Sequence, residues 1–404
     1  MDFLTLKNVN LQGKRVLVRV DYNVAIDNDG NIKDDTRIRN SIPTIKLLQQ
    51  EGAKIILLSH LGRPKNREPK LMLDKVAHHL SGLLKHEVRK VDDCIGTAAE
   101  LVVATLANTD ILMLENIRFH PEEEKNDLEF ARMLARLADI YINDALAVSH
   151  RSHASVSAIT HLLPSYGGPL LEQEVHYFEK VIKEPESPFV VVIGGAKISD
   201  KIGVILNLLP KVDYLLVGGA TANTLLQAKG IDMAASLVEM DKLAYAINLL
   251  AEGGDKLIIP IDVVAESANG VSTSIVDVSD ITSLDEGSKA KDIGPKTIEL
   301  FKSKLENASM VLLAGPLGLF EDYRFSDGTL KILQAIGELN ATRIAGGGDT
   351  LAAVSFFKMQ NNFTFLSTAG GAMLEFLEGK KLPGLEALEH AKRRMMIEDR
   401  AYTS

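Results

Sequence analysis

Two groups of residues in this chain could bind anions, and they would do so by different means. Before about residue 170 the short apolar runs end in Arg19-Val20-Asp21-Tyr22-Asn23, Ser59-His60-Leu61-Gly62-Arg63, Glu115-Asn116-Ile117-Arg118 and Asn143-Asp144. A guanidinium presents a planar fork of donors that matches phosphate and carboxylate, which an ammonium cannot copy. Arg37, Arg63, Arg118 and Arg151, joined by His60 and His153, are therefore candidates for one polyanionic small-molecule site. One such arginine reads more simply as a solvated ion-pair partner, while four beside strand ends bring a shared ligand level with that reading. Asp21 and Asn23 could contact a ligand hydroxyl or carboxylate, or could stabilise the loop after a strand.

Later runs end mostly in glycine: Gly194-Gly195-Ala196-Lys197, Gly218-Gly219-Ala220, Gly315-Pro316-Leu317-Gly318, Gly346-Gly347-Gly348-Asp349 and Gly370-Gly371. Glycine lets backbone approach a phosphate, and the amides and dipole of a following helix favour negative charge. Gly346 to Thr350 lies between a strand-like run and the helix-like Leu351 to Phe357, the right context for phosphate. Asp349 offers a hard oxygen to magnesium held mainly through phosphate, or a simple helix cap. Lys197 and Lys201, one helical turn apart, are expected on one helix face, either to stabilise transferring charge or as a solvated lysine face.

These residues need a scaffold. At 404 residues two domains are the default, with one large barrel the competitor. Unalternating apolar runs at Arg15-Val20, Lys54-Leu58, Ile111-Leu114, Ile140-Ile142, Phe189-Ile193, Tyr214-Val217, Leu257-Ile259, Met310-Leu313 and Phe363-Leu366 suit strands covered on both faces. Helical spacing between them, as at Leu128, Ala131, Leu134, Ala135 and Ala138 after Glu122 to Glu124, makes the chain α/β. A turn-rich break at 163–169, a helix over Leu170 to Lys183 and prolines at 185 and 188 suggest two lobes joined by a helix. A polar stretch from Ala268 to Leu284 is expected to form a peripheral antiparallel piece.

A net charge of -9 argues against general nucleic-acid binding. The single Cys94 excludes an internal disulfide and fits a reducing cytosol, and no run is long enough to span a bilayer. A cytoplasmic location, no membrane partner and no secretory signal are the expectation. P-loop, Gly-x-Gly-x-x-Gly, Gly-x-Ser-x-Gly and His-Glu-x-x-His motifs are all missing from the sequence.

Taken in order, the motifs closely resemble those of the phosphoglycerate kinase family. They include Arg19 to Val24, Asp35 to Arg39, Ser59 to Pro64, Leu114 to His120, His150 to Ser155, Gly194 to Lys201, Asp292 to Thr297, Gly315 to Glu321 and Gly346 to Thr350, within a match from about Lys14 to about Leu388. The resemblance implies two parallel-sheet, Rossmann-like three-layer lobes joined by a hinge helix. A phosphoglycerate-binding domain over 1–168 would be rejoined by about 385–404, with a hinge at 169–188 and a nucleotide domain at 189–384. It implies a monomer that transfers the acyl phosphate of 1,3-bisphosphoglycerate to ADP, with Mg2+ accompanying ADP or ATP, after hinge closure. Asp21, Tyr22, Asn23, Arg37, His60, Leu61, Gly62, Arg63, Arg118 and Arg151 would hold phosphoglycerate. Lys201, Ala290, Glu321, Gly346, Gly347, Gly348, Asp349 and Thr350 would serve the nucleotide, with Asp349 on the metal. Arg37, Lys197, Lys201 and the backbone at Gly370 and Gly371 would stabilise the transferred group.

The chain departs from the family pattern unevenly. Ala25 replaces Pro and Leu146-Ala147 replaces Phe-Gly in the first half. In the second, Leu313-Ala314 replaces Trp-Asn, Thr221 replaces Met, Ala290 replaces Gly and Ala369 replaces the first of three glycines. Those changes bear on nucleotide choice more than on reaction type. The alternative they raise is a non-catalytic phosphoglycerate-binding relative with a drifted nucleotide lobe.

Overall fold

The computed structural model describes residues 2–279 and 283–403. The chain divides into two compact units, Met1–His176 with Lys381–Ser404, and Tyr177–Lys380. The helix expected over 170–183 is observed as Pro169–Lys183, so the division falls within it.

In the first unit β1 (Arg15–Arg19), β2 (Lys54–Leu58), β3 (Val88–Lys90), β4 (Ile111–Met113), β5 (Ile140–Asn143) and β6 (Ser165–Gly167) form one parallel sheet in the order β3-β4-β2-β1-β5-β6. Successive strand side chains point to opposite faces, so apolar runs must feed two cores at once. Val16, Val18, Ile55, Leu57 and Ile142 lie in one cluster, and Leu17, Ile56, Leu58 and Tyr141 in another. Helices cover both faces, as unalternating runs require. The strand order reverses between β1 and β5, where Arg19 pairs in register with Leu58 on one side and Asn143 on the other. Such a reversal opens a crevice at the carboxyl ends of strands. The loops after β1, β2, β4 and β5 carry Asp21, His60, Arg118 and Asp144.

Residues 381–404 complete this unit through the helix Pro383–Thr403. Arg394 Nη2 donates to the carbonyls of Thr160 (2.8 Å) and Leu163 (3.2 Å).

The second unit holds β7 (Phe189–Ile193), β8 (Tyr214–Val217), β9 (Leu257–Ile258), β10 (Asp262–Glu266), β11 (Thr273–Asp277), β12 (Lys289–Ile293), β13 (Met310–Ala314), β14 (Thr342–Gly346) and β15 (Phe365–Ser367). Six of them form a parallel sheet, β15-β14-β13-β7-β8-β9, again with a reversal, at β7 and β13. The antiparallel piece expected over 268–284 is a three-stranded sheet, β11-β10-β12, reaching from Asp262 to Ile293; residues 280–282 of that stretch lie outside the described residues.

Two local expectations are corrected. Glu122 to Glu124 do not begin a helix: Asp127 caps the helix Leu128–Ala135 by accepting from the Phe130 amide at 2.8 Å, and Glu123 is fully buried elsewhere. Lys197 and Lys201 do not share a helix face, because the helix after β7 is only Ile202–Leu208 and residues 194–201 form turns.

Candidate functional site

The first unit gathers cations around a buried histidine. Arg19 closes β1 with 1% exposure, so its charge cannot be satisfied by water. Its Nε donates to Ser155 Oγ at 2.9 Å, its Nη1 to the Val20 carbonyl at 2.5 Å, and its Nη2 lies 3.2 Å from His60 Nδ1. Burial holds the His60 imidazole well below its ordinary pKa, and the charges of Arg19, Arg118, Arg37 and Arg151 act in the same direction. His60 is thus neutral at pH 7, and of the arginines expected at the site Arg37, Arg118 and Arg151 act on it while Arg63 does not.

Arg37 donates to Asp21 Oδ2, and the Asn23 amide donates to Asp21 Oδ1 at 3.1 Å. Asp21 therefore stabilises the loop after β1, one of the two roles open to it, and is also the charge partner of Arg37. Asn23 Oδ1 accepts from the Gly62 amide (2.8 Å), and Arg118 Nη1 donates to the Gly62 carbonyl (2.7 Å), which ties the loops after β1, β2 and β4 together. Burial, then the Arg151 charge, lowers the Arg118 pKa to about 10, so it stays cationic at pH 7. Glu124 is its ion-pair partner, at 3.2 Å. Arg63 and Arg118 line a pocket of about 200 Å³ together with Lys65 and Glu124. Arg151 is half-buried, and its Nε donates to His150 Nε2 at 3.1 Å.

Tyr22 and Leu61 are placed otherwise than the sequence suggested. Tyr22 is wholly buried with its hydroxyl 2.7 Å from Ser41 Oγ, and Leu61 is 3% exposed, so neither side chain is offered to a ligand. His153 instead faces Glu123, at 3.7 Å.

Glu123, Ser155 and Asn116, to which the sequence assigned no site role, hold this arrangement. Glu123 accepts from the Ser155 hydroxyl (2.6 Å) and amide (2.9 Å). Burial raises its pKa, but the nearby His153 ring, the Arg19 charge and the two bonds from Ser155 outweigh that and hold it ionised. Asn116 bridges the loops: its Nδ2 donates to the carbonyls of Leu61 (2.8 Å) and Leu71 (2.9 Å). The available signal was charge inside apolar sequence, since an Arg ending a doubly covered strand requires buried acceptors.

In the second unit Gly194 and Gly315, at the ends of β7 and β13, touch across the reversal. A Cβ on Gly194 would meet the Pro316 carbonyl oxygen at 1.9 Å, and one on Gly315 the Gly194 oxygen at 2.4 Å. Beside them lies a pocket of about 370 Å³ whose wall includes Gly195, Ala290, Phe320, Glu321 and Asp349. Gly347 has φ 102° before the helix Gly348–Phe356, and Thr350 Oγ1 accepts from the Gly315 amide at 2.7 Å, joining two glycine turns. Gly346 points inward, where a Cβ would meet Met373 Sδ at 2.2 Å. Asp349 is exposed at the first turn of that helix. Lys201 is half-buried; burial pulls its ammonium pKa down while Asp200 and Asp349 oppose, which places Lys201 in reach of the Asp349 charge. Lys197 is exposed on the same loop, which Glu239 braces by accepting from the Ser199 amide (2.9 Å) and hydroxyl (2.7 Å). Gly370 and Gly371 lead into the helix Gly371–Leu377, and a Cβ on either would meet nothing within 4 Å.

A profile described as phosphoglycerate kinase matches residues 6–380 of this chain. The chain belongs to the phosphoglycerate kinase family. It is 48% identical over 392 residues to the phosphoglycerate kinase of Dictyoglomus turgidum, covering 96% of this chain and 98% of that one. Against that of Pseudothermotoga lettingae it is 45% identical over 399 residues, 97% of this chain and 100% of the relative. Among solved structures, the Coxiella burnetii phosphoglycerate kinase matches with a TM-score of 0.85 at 36% identity, over 97% of this chain and 100% of that one. The Pyrococcus horikoshii phosphoglycerate kinase matches at 0.87 and 31%, over 96% and 99%.

Against the phosphoglycerate kinase pattern, the departures of this chain are mostly absorbed by packing. Thr221 is fully buried and its hydroxyl donates to the Gly195 carbonyl at 3.3 Å, so it helps hold the glycine turn. Ala314 and Ala369 are 0% and 1% exposed. Only Ala290 faces the pocket.

Proposed function

We infer that this chain catalyses the reversible transfer of the acyl phosphate of 1,3-bisphosphoglycerate to ADP, giving 3-phosphoglycerate and ATP. As a phosphoglycerate kinase it is a glycolytic phosphotransferase acting on small molecules. The observation that carries the residue assignment is the convergence of Arg19, Arg37, Arg118 and Arg151 on neutral, buried His60. A site so cationic calls for a ligand with more than one negative group, as a phosphorylated acid has.

Asp21, Asn23, Arg37, His60, Arg63, Arg118 and Arg151 bind the acid in this reading, with Gly62 contributing backbone. The nucleotide lies against Ala290 and Glu321, its phosphates at the turns around Gly347, Gly348 and Thr350. Mg2+ fits the one exposed carboxylate at that helix start: Asp349 would hold it together with phosphate and water oxygens, and when bound it neutralises phosphate charge. An oxygen of the ADP β-phosphate forms the new bond to phosphorus as the bond to the carboxylate oxygen of the acid breaks, so no group on the protein becomes covalently attached. Positioning and charge neutralisation then supply most of the acceleration. Arg37, Lys197, Lys201 and the amides at Gly370 and Gly371 stabilise the transferring group. Since the arginines and the glycine turns belong to different units, we take closure about the connecting segment near 169–188 to precede transfer and exclude water. A cytoplasmic location, supported by a glycolytic reaction and a single cysteine, completes the reading, with a monomer as what membership of the family implies.

A coupled assay with ATP and 3-phosphoglycerate tests the reading. Turnover is expected, and measurable 3-phosphoglycerate binding without turnover would instead support the non-catalytic relative. Arg37→Ala should cut kcat at least tenfold while changing 3-phosphoglycerate affinity much less; an unchanged kcat removes Arg37 from the chemistry.

A further inference from the structure

We propose that Arg19 is a positioning residue that fixes His60 as the neutral tautomer protonated on Nε2, making His60 an uncharged hydrogen-bond donor within the arginine cluster. The inference rests on the reading of His60 as a ligand-binding residue, and it deepens that reading.

The chemistry is decided by what each group can do. A guanidinium has five donors and no acceptor. The 3.2 Å approach of Arg19 Nη2 to His60 Nδ1 is a hydrogen bond only if Nδ1 carries its lone pair. The ring proton of neutral His60 is then on Nε2. The other charged group facing Nδ1 is Asp21, whose Oδ1 lies 3.9 Å away, beyond hydrogen-bonding range, with Asp21 already engaged by Arg37 and the Asn23 amide. Arg118, Arg37 and Arg151 also act on the ring, all disfavouring imidazolium.

Arg19 cannot turn away from this task without loss. Its Nε and Nη1 are tied to Ser155 and to the Val20 carbonyl, and Glu123 in turn secures Ser155. Its remaining nitrogen is therefore aimed at Nδ1 by a network that is buried throughout. Among the described residues no hydrogen bond is made by His60 Nε2, so the donor it carries is left for a ligand oxygen. A neutral donor contributes direction to a site already rich in charge, and its contribution does not titrate where histidines ordinarily do.

Nitrogen NMR on the full-length protein with labelled histidine reads the tautomer directly, with the His60 signals assigned by their loss in His60→Gln. In the free wild-type protein Nδ1 should resonate as an unprotonated, pyridine-type nitrogen and Nε2 as a protonated, pyrrole-type one, with no titration between about pH 5 and 8. A proton on Nδ1, or an imidazolium at pH 7, overturns the proposal without need of any variant. Arg19→Met should convert the single tautomer to a mixture or restore titration in that window; an unchanged His60 spectrum in a folded Arg19→Met protein overturns the role of Arg19. Adding 3-phosphoglycerate to wild type should shift the Nε2 resonance. If the tautomer is as stated but this shift is missing, the binding role of His60 fails while the control by Arg19 stands.

Discussion

Adjacent glycines at the start of one helix allow backbone conformation and ligand access to be tested separately. Gly370 sits at φ 57°, ψ -121°, a conformation that any side chain would strain, whereas Gly371 lies outside the left-handed region. A methyl at either position meets no protein atom within 4 Å. Gly370→Ala should therefore cost roughly 1–3 kcal/mol from backbone strain alone. Gly371→Ala should gain about 0.4–1 kcal/mol, because alanine restricts the unfolded chain. Denaturant midpoints are the appropriate comparison, since a chain of two units need not unfold in one step. Turnover should move differently. If the amides at 370 and 371 face the transferring phosphate, the new methyl at 371 obstructs the ligand and kcat should fall at least tenfold in a protein that is no less stable. Full turnover in Gly371→Ala would refute the placement of the transferring group there. A Gly370→Ala protein as stable as Gly371→Ala would refute the backbone argument.

Burial raises the Asp144 pKa from 3.8 to about 7, while one of its oxygens caps the helix Pro169–Lys183 through the Leu170 (2.9 Å) and Leu171 (3.3 Å) amides. Because the folded value is the higher, the stability this group contributes is full below pH 3.8 and is lost as pH rises through about 7. At about 1.4 kcal/mol per unit, the loss is on the order of 4 kcal/mol at most. Asp144→Asn keeps the accepting oxygen without the charge, so its denaturation midpoint should gain on wild type between pH 5 and pH 8; parallel pH profiles would contradict this. Thr350→Val removes the acceptor of the buried Gly315 amide and should destabilise by about 1–3 kcal/mol, read as a lower thermal midpoint. Glu124→Gln frees Arg118 from its ion pair and should lower the KM for 3-phosphoglycerate with kcat unchanged; a raised KM would show that Glu124 aids binding.

The parallel sheets were legible because burial on both faces leaves an unalternating apolar signature, as in Lys54–Leu58 and Phe189–Ile193. The short strands β3 and β6 leave no such run, and they were missed. Strand ends located the loops that carry the candidate anion-binding residues, but sequence order cannot say which charges are spent on the protein itself. Arg19 meets Ser155 across 136 residues of chain, and Glu123 looked like an acid at a helix start until its buried partners came into view. The lysine pair failed for a local reason: spacing of four implies one face only if a helix is present, and the glycine turn delays the helix to Ile202. Glycines proved to serve two ends, since Gly194 and Gly315 are needed for contact between strand ends while Gly370 and Gly371 face open space.

The return of residues 381–404 to the first unit has a consequence for biosynthesis. Tyr177–Lys380 is contiguous in the chain, so all of its residues are made before the last segment of the first unit. The first unit, although mostly made earlier, cannot form the bonds from Arg394 to the carbonyls of Thr160 and Leu163 until residues 381–404 are made. Order of synthesis and order of completion are therefore reversed, and the arginine-bearing half of the molecule is the last to be finished.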